Sequence, residues 1–473
     1  MRRTVLLATL IILCLTCSYS VRADDVLTRK GLDSIKASEA QKYVAVLASD
    51  RFEGRNSGYA GCWEAANWIS ERFKEFGLKP IGDNATYFQE FTFEARGAKM
   101  LPGPGNDPGQ QQKKRKKKKK KKSTPVQKPH HVTPTTRNVV GLLEGSDPQV
   151  KDEVVIIGGH YDHVGREGQW NRGSRRGRPK GKDDICNGAD DNASGISAIL
   201  EIAAAFAESG VKPRRSILFI AFSAEEHGLH GSAWYCEHPL LPLEKTLAMA
   251  NLDMVGFKSK RPMTIAGVDH ASGNVIRKAV TRAMKEVRRF KGRLRPWAMS
   301  AGSDHASFVK KSIPTFYFFK GLNNVYHTVE DEVNMISGKQ IANVSKVLFL
   351  TLIELANLPR KPTFVPGQVH SSGSGRLGIK ITGAVSREEA KKLRLKRKQG
   401  GVRVDTVYPQ SVAGKAGLLP DDIIIRIGKE DLKRGREAST LARVIRKYKP
   451  GQRFIIKVVR GKSRKTLRAV MPR

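Results

Sequence analysis

Val154-Val155-Ile156-Ile157-Gly158-Gly159-His160-Tyr161-Asp162-His163 places four apolar residues in succession and then, past two glycines, a group of polar side chains suited to chemistry. A strand with one wet face alternates apolar and polar residues. A run that is apolar at successive positions is buried on both faces, as in the middle of an α/β sheet. Similar runs recur at 138–143, 216–222, 247–255, 263–266 and 313–319, each about strand length and bounded by Gly, Asp or Pro. Between them the apolar spacing turns helical. Ile196, Ile199, Leu200 and Ala203 recur at intervals of three and four, Val275, Val280 and Met284 fit a similar face, and 340–355 closes the series. Two more helical patterns precede the strands, at 37–48 and 62–76, the second with Gly77 as its stop signal. This alternation predicts a sheet covered by helices on both sides, in one domain spanning 24–360.

The 473 residues leave room for a further domain, and the ends of the chain read differently from its middle. Met1-Arg2-Arg3, an apolar run over 5–15 and Val21-Arg22-Ala23 before Asp24-Asp25 have the layout of a signal peptide over 1–23. An uncleaved anchor would need a longer apolar run than this. The expectation is an exported chain, periplasmic or extracellular, with no stable membrane span once the leader is removed. Beyond the leader stand Cys62, Cys186 and Cys236, which allow one disulfide at most and include no CxxC pair. Neither a disulfide scaffold nor a structural zinc knuckle fits.

The net charge of +40 suggests a polyanion partner, but its distribution weakens that reading. Ten consecutive basic residues from Lys113 to Lys122 supply a quarter of it, inside a Pro- and Gln-rich insertion at about 100–134. Like charges repel and nothing there can pack, so the stretch is expected to be a solvated loop. A second basic loop covers 166–182. Polyanion binding at 113–122 stays open, although neither loop has the interleaved aromatics of a base-stacking surface.

His, Asp and Glu concentrate in five segments: Gly159-His160-Tyr161-Asp162-His163, Gly188-Ala189-Asp190-Asp191-Asn192, Ser223-Ala224-Glu225-Glu226-His227, Asn251-Leu252-Asp253-Met254 and Tyr326-His327-Thr328. Most lie at or just beyond the end of an expected strand, where open α/β sheets build their sites. Carboxylates converging there would repel one another and resist desolvation unless a cation joined them. With His160, Asp191, Glu226, Asp253 and His327 as ligands, three carboxylates and a hydroxide balance two divalent cations. One carboxylate must then bridge. Nitrogen and oxygen donors without Cys favour a pair of catalytic zinc ions over a structural one.

Each residue also has an ordinary reading. His160 and His163 could be turn histidines, and Asp190-Asp191-Asn192 with Ser194 a helix cap, in which Asn192 or Ser194 caps while Asp191 binds metal. Glu225 and Glu226 could face solvent at a helix start, and Asp253 could be a strand-end acid. His227 and His230 are read as surface or packing residues, and Tyr326 as packing.

In this order the five segments resemble the co-catalytic zinc exopeptidases of metallopeptidase family 28, which include aminopeptidases, glutamate carboxypeptidase and glutaminyl cyclase. The likeness extends from about Leu47 to about Leu355. It takes in the non-catalytic Leu47-Ala48-Ser49-Asp50-Arg51-Phe52-Glu53-Gly54-Arg55 and the helix ending Phe76-Gly77-Leu78-Lys79-Pro80. The resemblance implies a three-layer αβα sandwich with a mixed, mostly parallel central sheet. It implies two zinc ions per chain: His160 and Asp253 on one, Glu226 and His327 on the other, and Asp191 bridging. Glu225 becomes the general base and Asp162 the carboxylate that orients His160. Ser303-Asp304-His305 resembles a segment near the family's substrate pocket, which makes Asp304 and His305 candidate substrate-binding residues; a helix cap is the ordinary reading.

After a Pro-, Ser- and Gly-rich linker at 361–375, Leu377-Gly378-Ile379, Gly401-Val402-Arg403-Val404, Ala416-Gly417-Leu418 and Asp421-Asp422-Ile423-Ile424 resemble the PDZ domains of bacterial proteases, over 376–473. Leu377, Gly378 and Ile379 would then form the loop receiving a peptide's C-terminal carboxylate. A degenerate module that only packs is the alternative, and 391–398 reads as a solvated basic segment.

The expected function is an exported zinc aminopeptidase acting on peptide N-termini. Alternatives are glutaminyl cyclase, carboxypeptidase or dipeptidase activity on the same fold, or a non-catalytic peptide- or polyanion-binding protein.

Overall fold

The computed structural model describes residues 25–95, 133–166, 183–295, 302–365, 377–407, 411–461 and 463–471. The leader, the lysine run and the basic loop beyond Arg166 lie outside them. Arg166 itself pairs with Asp184 at 2.8 Å and Glu53 at 3.1 Å. The described chain forms two compact units that meet in sequence between Phe364 and Val365.

The first unit is built on a nine-stranded sheet. Its strands are β1 (Lys79–Pro80), β2 (Phe88–Thr92), β3 (Thr135–Leu143), β4 (Val154–His160), β5 (Ser216–Phe222), β6 (Thr246–Asp253), β7 (Met263–Ala266), β8 (Gly292–Leu294) and β9 (Thr315–Phe319). The central order β5-β4-β6-β9 is parallel throughout. Antiparallel pairing is confined to the flanks, where β3 joins β5 and β7 joins β9. Around the sheet lie α1 (Ala37–Leu47), α2 (Ala60–Glu75), α3 (Gly195–Ser209), α4 (His230–Glu237), α5 (Val275–Glu286), α6 (His305–Lys310) and α7 (Gly338–Ala356).

Alternation within each strand sorts the core into two layers. Val155 and Ile157 of β4, with Ile217, Phe219 and Ala221 of β5, join a cluster containing Val44, Ile69, Ile199, Val280 and Val347 from five helices. Val154, Ile156, Leu218, Ile220 and Phe222 point the other way, against Tyr235 of α4 and Phe308 of α6. Both faces are apolar because both are covered, and the result is three layers, αβα. Each fully buried Leu, Ile or Phe contributes about 1.5–3 kcal/mol, so this double core carries most of the stability.

The strands end at or near the candidate site residues. β4 stops at His160, β6 stops at Asp253, and β5 stops three residues before Glu225. The chain stays with this unit past residue 360: Ser272 and Thr363 exchange hydrogen bonds, and Ala271 bridges to Phe364. The linker therefore starts later than the Pro and Ser content suggests, and 366–376 lie outside the described residues. Cys62, Cys186 and Cys236 are all buried, and none of the three is in a disulfide. Among the described residues no helix is long and apolar enough to cross a membrane.

The second unit is an antiparallel sheet, in the order β10 (Ile379–Ala384), β11 (Val402–Val407), β12 (Ile423–Ile427), β14 (Arg453–Arg460), β15 (Ser463–Val470), with β13 (Glu430–Asp431) paired to β12. Its helices are α8 (Arg387–Lys392), α9 (Val412–Lys415) and α10 (Glu437–Arg446). The core joins Leu377, Val404, Ile424, Leu441, Ile445 and Ile456. β10 is an edge strand and α10 packs against it. Gly378 opens that strand at φ +75°, with its carbonyl accepting the Ser411 hydroxyl at 3.2 Å. Gly378 and α10 thus flank the edge strand of this sheet. The basic segment expected at 391–398 begins as the end of α8 and continues as turns.

Candidate metal centre

The parallel strands deliver their carboxyl ends to one side of the sheet, and the loops leaving them are pinned there by polar side chains. Asn192 does most of the stapling. Its Nδ2 donates to the carbonyls of His160 (3.1 Å) and Leu252 (3.0 Å), and its Oδ1 accepts the N–H groups of Gly195 and Met254, both at 3.1 Å. One side chain thus ties the ends of β4 and β6 to the start of α3. The capping expected of Asn192 is present, which leaves Asp191 free for another task. The carboxylate of Asp331 accepts the N–H groups of Asp190 (2.9 Å) and Asp191 (3.1 Å), fixing the turn from which Asp191 projects. Asp190 turns away and accepts the N–H groups of Gly256 and Phe257 at 2.9 Å each.

Arg55, fully buried, donates to the carbonyls of Leu47, Tyr161, Asn187 and Gly188. It joins the segment before α2 to both loops that carry the acidic groups. Burial lowers its pKa to about 10, against the pull of Asp191, Asp331 and Asp162, so it remains a cation.

His160, Asp191, Glu226, Asp253 and His327 converge. His160 Nε2 stands 3.4 Å from Asp191 Oδ1 and 3.6 Å from Asp253 Oδ1. His327 Nε2 stands 3.1 Å from Asp191 Oδ2 and 3.0 Å from Glu226 Oε1. Asp191 therefore turns one oxygen toward each group, the disposition of a bridging carboxylate. Tetrahedral zinc with nitrogen and oxygen ligands at about 2.0 Å sets those ligands about 3.3 Å apart. The observed spacings fit that geometry. Among the described residues Asp253 Oδ1 and Glu226 Oε1 are buried with no hydrogen-bond partner, which a cation beside each would relieve.

The electrostatics agree. Burial disfavours a charged His160, yet Glu225, Asp253 and Asp191 outweigh it and raise its pKa well above the ordinary value. For His327 the same contest, won by Glu226 and Asp191, ends at about 10. Glu226 answers in kind: burial pushes it up, but His327 and His163 hold it well below the usual carboxylate range. Glu225 goes the opposite way. Burial first, then Glu226, Asp304 and Asp253, raise it well above a normal glutamate, with only His160 opposing. Two adjacent glutamates are thus driven apart, one fixed as an anion and one inclined to hold a proton. Both lie in a turn between β5 and α4, not at a helix start.

The Asp162 carboxylate stands 3.8 Å from His160 Nδ1. The ring nitrogen Nδ1 meets the Asp162 main-chain carbonyl at 3.1 Å, while the carboxylate accepts the N–H groups of Glu225 (3.1 Å) and Glu226 (3.4 Å). Asp162 thus faces both His160 and the glutamate pair, and burial raises its own pKa to about 7. Asp304 and His305 do not face an open pocket: with Ser303 they are at most 1% exposed. His305 stacks on Tyr317 at 4.4 Å, and the Tyr317 hydroxyl donates to Asp253 Oδ2 at 3.2 Å. His305 is thereby connected to Asp253 through Tyr317. His227 packs against Phe93, and Tyr326 stacks on His327 at 3.7 Å, both as expected.

Residues 138–352 match the model for peptidase family M28. This is a peptidase family M28 domain. Residues 403–460 match the PDZ domain model, so the second unit carries a PDZ domain. The M28 relatives include Aminopeptidase YwaD of Bacillus subtilis, 26% identical over 249 residues, which make up 51% of this chain and 49% of that one. A probable zinc metalloprotease of Pyrenophora tritici-repentis is 27% identical over 278 residues, 48% of this chain and 58% of that one. The chain thus spans about half the length of the curated relatives it matches. Among solved structures, the Bacillus subtilis zinc aminopeptidase superposes with a TM-score of 0.48 at 19% identity, over 67% of this chain and 94% of that one.

His163 escaped the sequence reading, where it was a turn histidine. Here it is fully buried, with Nδ1 3.0 Å from Glu226 Oε1. No spacing rule distinguishes it from other turn histidines; only the fold brings it to His327.

Proposed function

We propose that the M28 domain is a zinc aminopeptidase that removes residues from the N-termini of peptides, with two zinc ions and Glu225 as general base. The observation that carries this reading is Asp191, whose two oxygens face two separate ligand groups while Glu225 stands beside them. His160 and Asp253 would hold one zinc, Glu226 and His327 the other. Bound zinc supplies an activated water and polarises the scissile carbonyl.

The chain's own residues do the rest. Glu225 accepts the proton of the attacking water and passes it to the departing amine, work for which a raised pKa is suited. Asp162 holds Glu225 in place through its main-chain N–H. Tyr317, stacked on His305, fixes the second oxygen of Asp253. The PDZ domain is proposed to take a peptide C-terminus along β10, with Leu377-Gly378-Ile379 receiving its carboxylate. Export rests on the leader sequence at 1–23 alone.

A panel of aminoacyl reporter substrates, N-blocked controls and an N-terminal glutaminyl peptide tests the activity. Release from free but not blocked N-termini is expected. Cyclisation of the glutaminyl peptide without hydrolysis of the others would replace the proposal with the cyclase reading.

A further inference from the structure

The second ligand group contains one more imidazole than the five-ligand set. His163 is fully buried, and its backbone N–H donates to Arg55 O at 3.1 Å. Its ring meets that of His327 edge to face, centroids 5.3 Å apart. Gly188, at φ +57°, makes room for it: a Cβ there would lie 2.6 Å from the His163 ring. The ring is thus held in place by the loop that also presents Asp191.

Nδ1 of His163 stands 3.0 Å from Glu226 Oε1 and 3.7 Å from Asp191 Oδ2. These are the same two oxygens that His327 Nε2 approaches at 3.0 and 3.1 Å. One donor atom from each of His163, Asp191, Glu226 and His327 falls within 4.8 Å of all the others. Four of the six edges of a tetrahedron are therefore present, each near the about 3.3 Å that zinc requires. Both nitrogens of His163 are buried; among the described residues Nε2 makes no hydrogen bond, and Nδ1 faces the Glu226 and Asp191 carboxylates.

We infer that His163 is a fourth protein ligand of the second zinc, and that the two metal positions are consequently unlike. This rests on the two-zinc reading above. His160, Asp191 and Asp253 offer the first zinc three donors and leave a position open. His163, Asp191, Glu226 and His327 close the second with protein atoms, in the manner of a retained ion. The second position fills first and empties last. Substrate and water exchange at the first.

The test is zinc-edge X-ray absorption on metal-free full-length wild type reloaded with one equivalent of zinc, joined to a titration against a chromophoric chelator. Two imidazoles per zinc at one equivalent are expected, with two binding steps of unequal affinity. In His163→Ser the tight step should weaken by about 10- to 100-fold or more while the weak step stays where it was. One imidazole per zinc at one equivalent overturns the inference without needing the variant, and so does a tight step that His163→Ser leaves unchanged. A wild type that binds no zinc would instead refute the two-zinc reading itself. Two ions bound with one imidazole each would refute the role of His163 alone.

Discussion

Asp422 in the PDZ domain and Asp191 in the M28 domain are both carboxylates shut away from water, at 0% and 3% exposure, yet their surroundings differ in kind. Asp422 receives the Arg460 guanidinium on both oxygens at 2.7 Å and the Leu419 N–H at 2.9 Å. Its charge is neutralised and its lone pairs are used. Asp191 shares its space with Glu226, Asp253 and Glu225, faced by the imidazoles of His160 and His327, while Arg55 spends its donors on main-chain carbonyls. A buried carboxylate that the chain itself neutralises is structural. A group of them that the chain holds rigidly and faces only with imidazoles, which can give up their protons, is shaped for a cation from outside.

The largest effect expected from this contrast is kinetic. Glu225→Gln should lower kcat by about 10²–10⁴-fold, as for loss of a positioned acid–base group, while zinc content stays at the wild-type level. Steady-state rates with metal analysis on the same sample check both halves. Arg460→Ala strips Asp422 of its partner and should destabilise the PDZ domain by about 3 kcal/mol, with metal binding untouched. Guanidinium denaturation of the PDZ domain measures the first, and a zinc titration the second.

Zinc at a hundredfold excess over its dissociation constant stabilises a fold by about 2.7 kcal/mol. Chelation should therefore lower the M28 transition in a calorimetric scan and leave the PDZ transition where it was. Equal shifts in both would erase the distinction drawn between the two carboxylates.

A smaller effect comes from Glu201, a buried carboxylate of α3 remote from the metal ligands in sequence, which accepts the Lys36 N–H at 3.0 Å. Burial, with lesser help from Glu39 and Glu208, raises its pKa to about 7. Because the folded value exceeds the unfolded one of about 4.3, ionisation penalises the native state. The penalty is absent below the unfolded value, grows between the two and is complete above about pH 7. Glu201→Gln keeps the acceptor and removes the charge. It should stabilise the M28 domain by about 2 kcal/mol at pH 8 and by nothing at pH 4, read from denaturation curves at both.

The sequence exposed what repeats and hid what depends on folding. Strands β4, β5 and β6 were legible because burial on both faces makes apolar runs such as that over 216–222. β2 (Phe88–Thr92) was missed, since a short antiparallel strand with alternating burial looks like a loop. The five candidate ligands were legible because they fall in five short segments rich in His, Asp and Glu, in a fixed order. Asp331 and Asn323, which brace Asp191 and Asp190, carry no such mark. His163 shares its segment with His160, and only the approach of a loop more than 160 residues away gives it a partner in His327.

Metal analysis of dialysed wild type and Asp191→Asn tests the central claim most directly. Two zinc ions per chain are expected in the wild type and fewer than one in the variant, with unchanged far-UV circular dichroism. A wild type that retains no stoichiometric metal, or a variant that keeps both ions, would contradict the account.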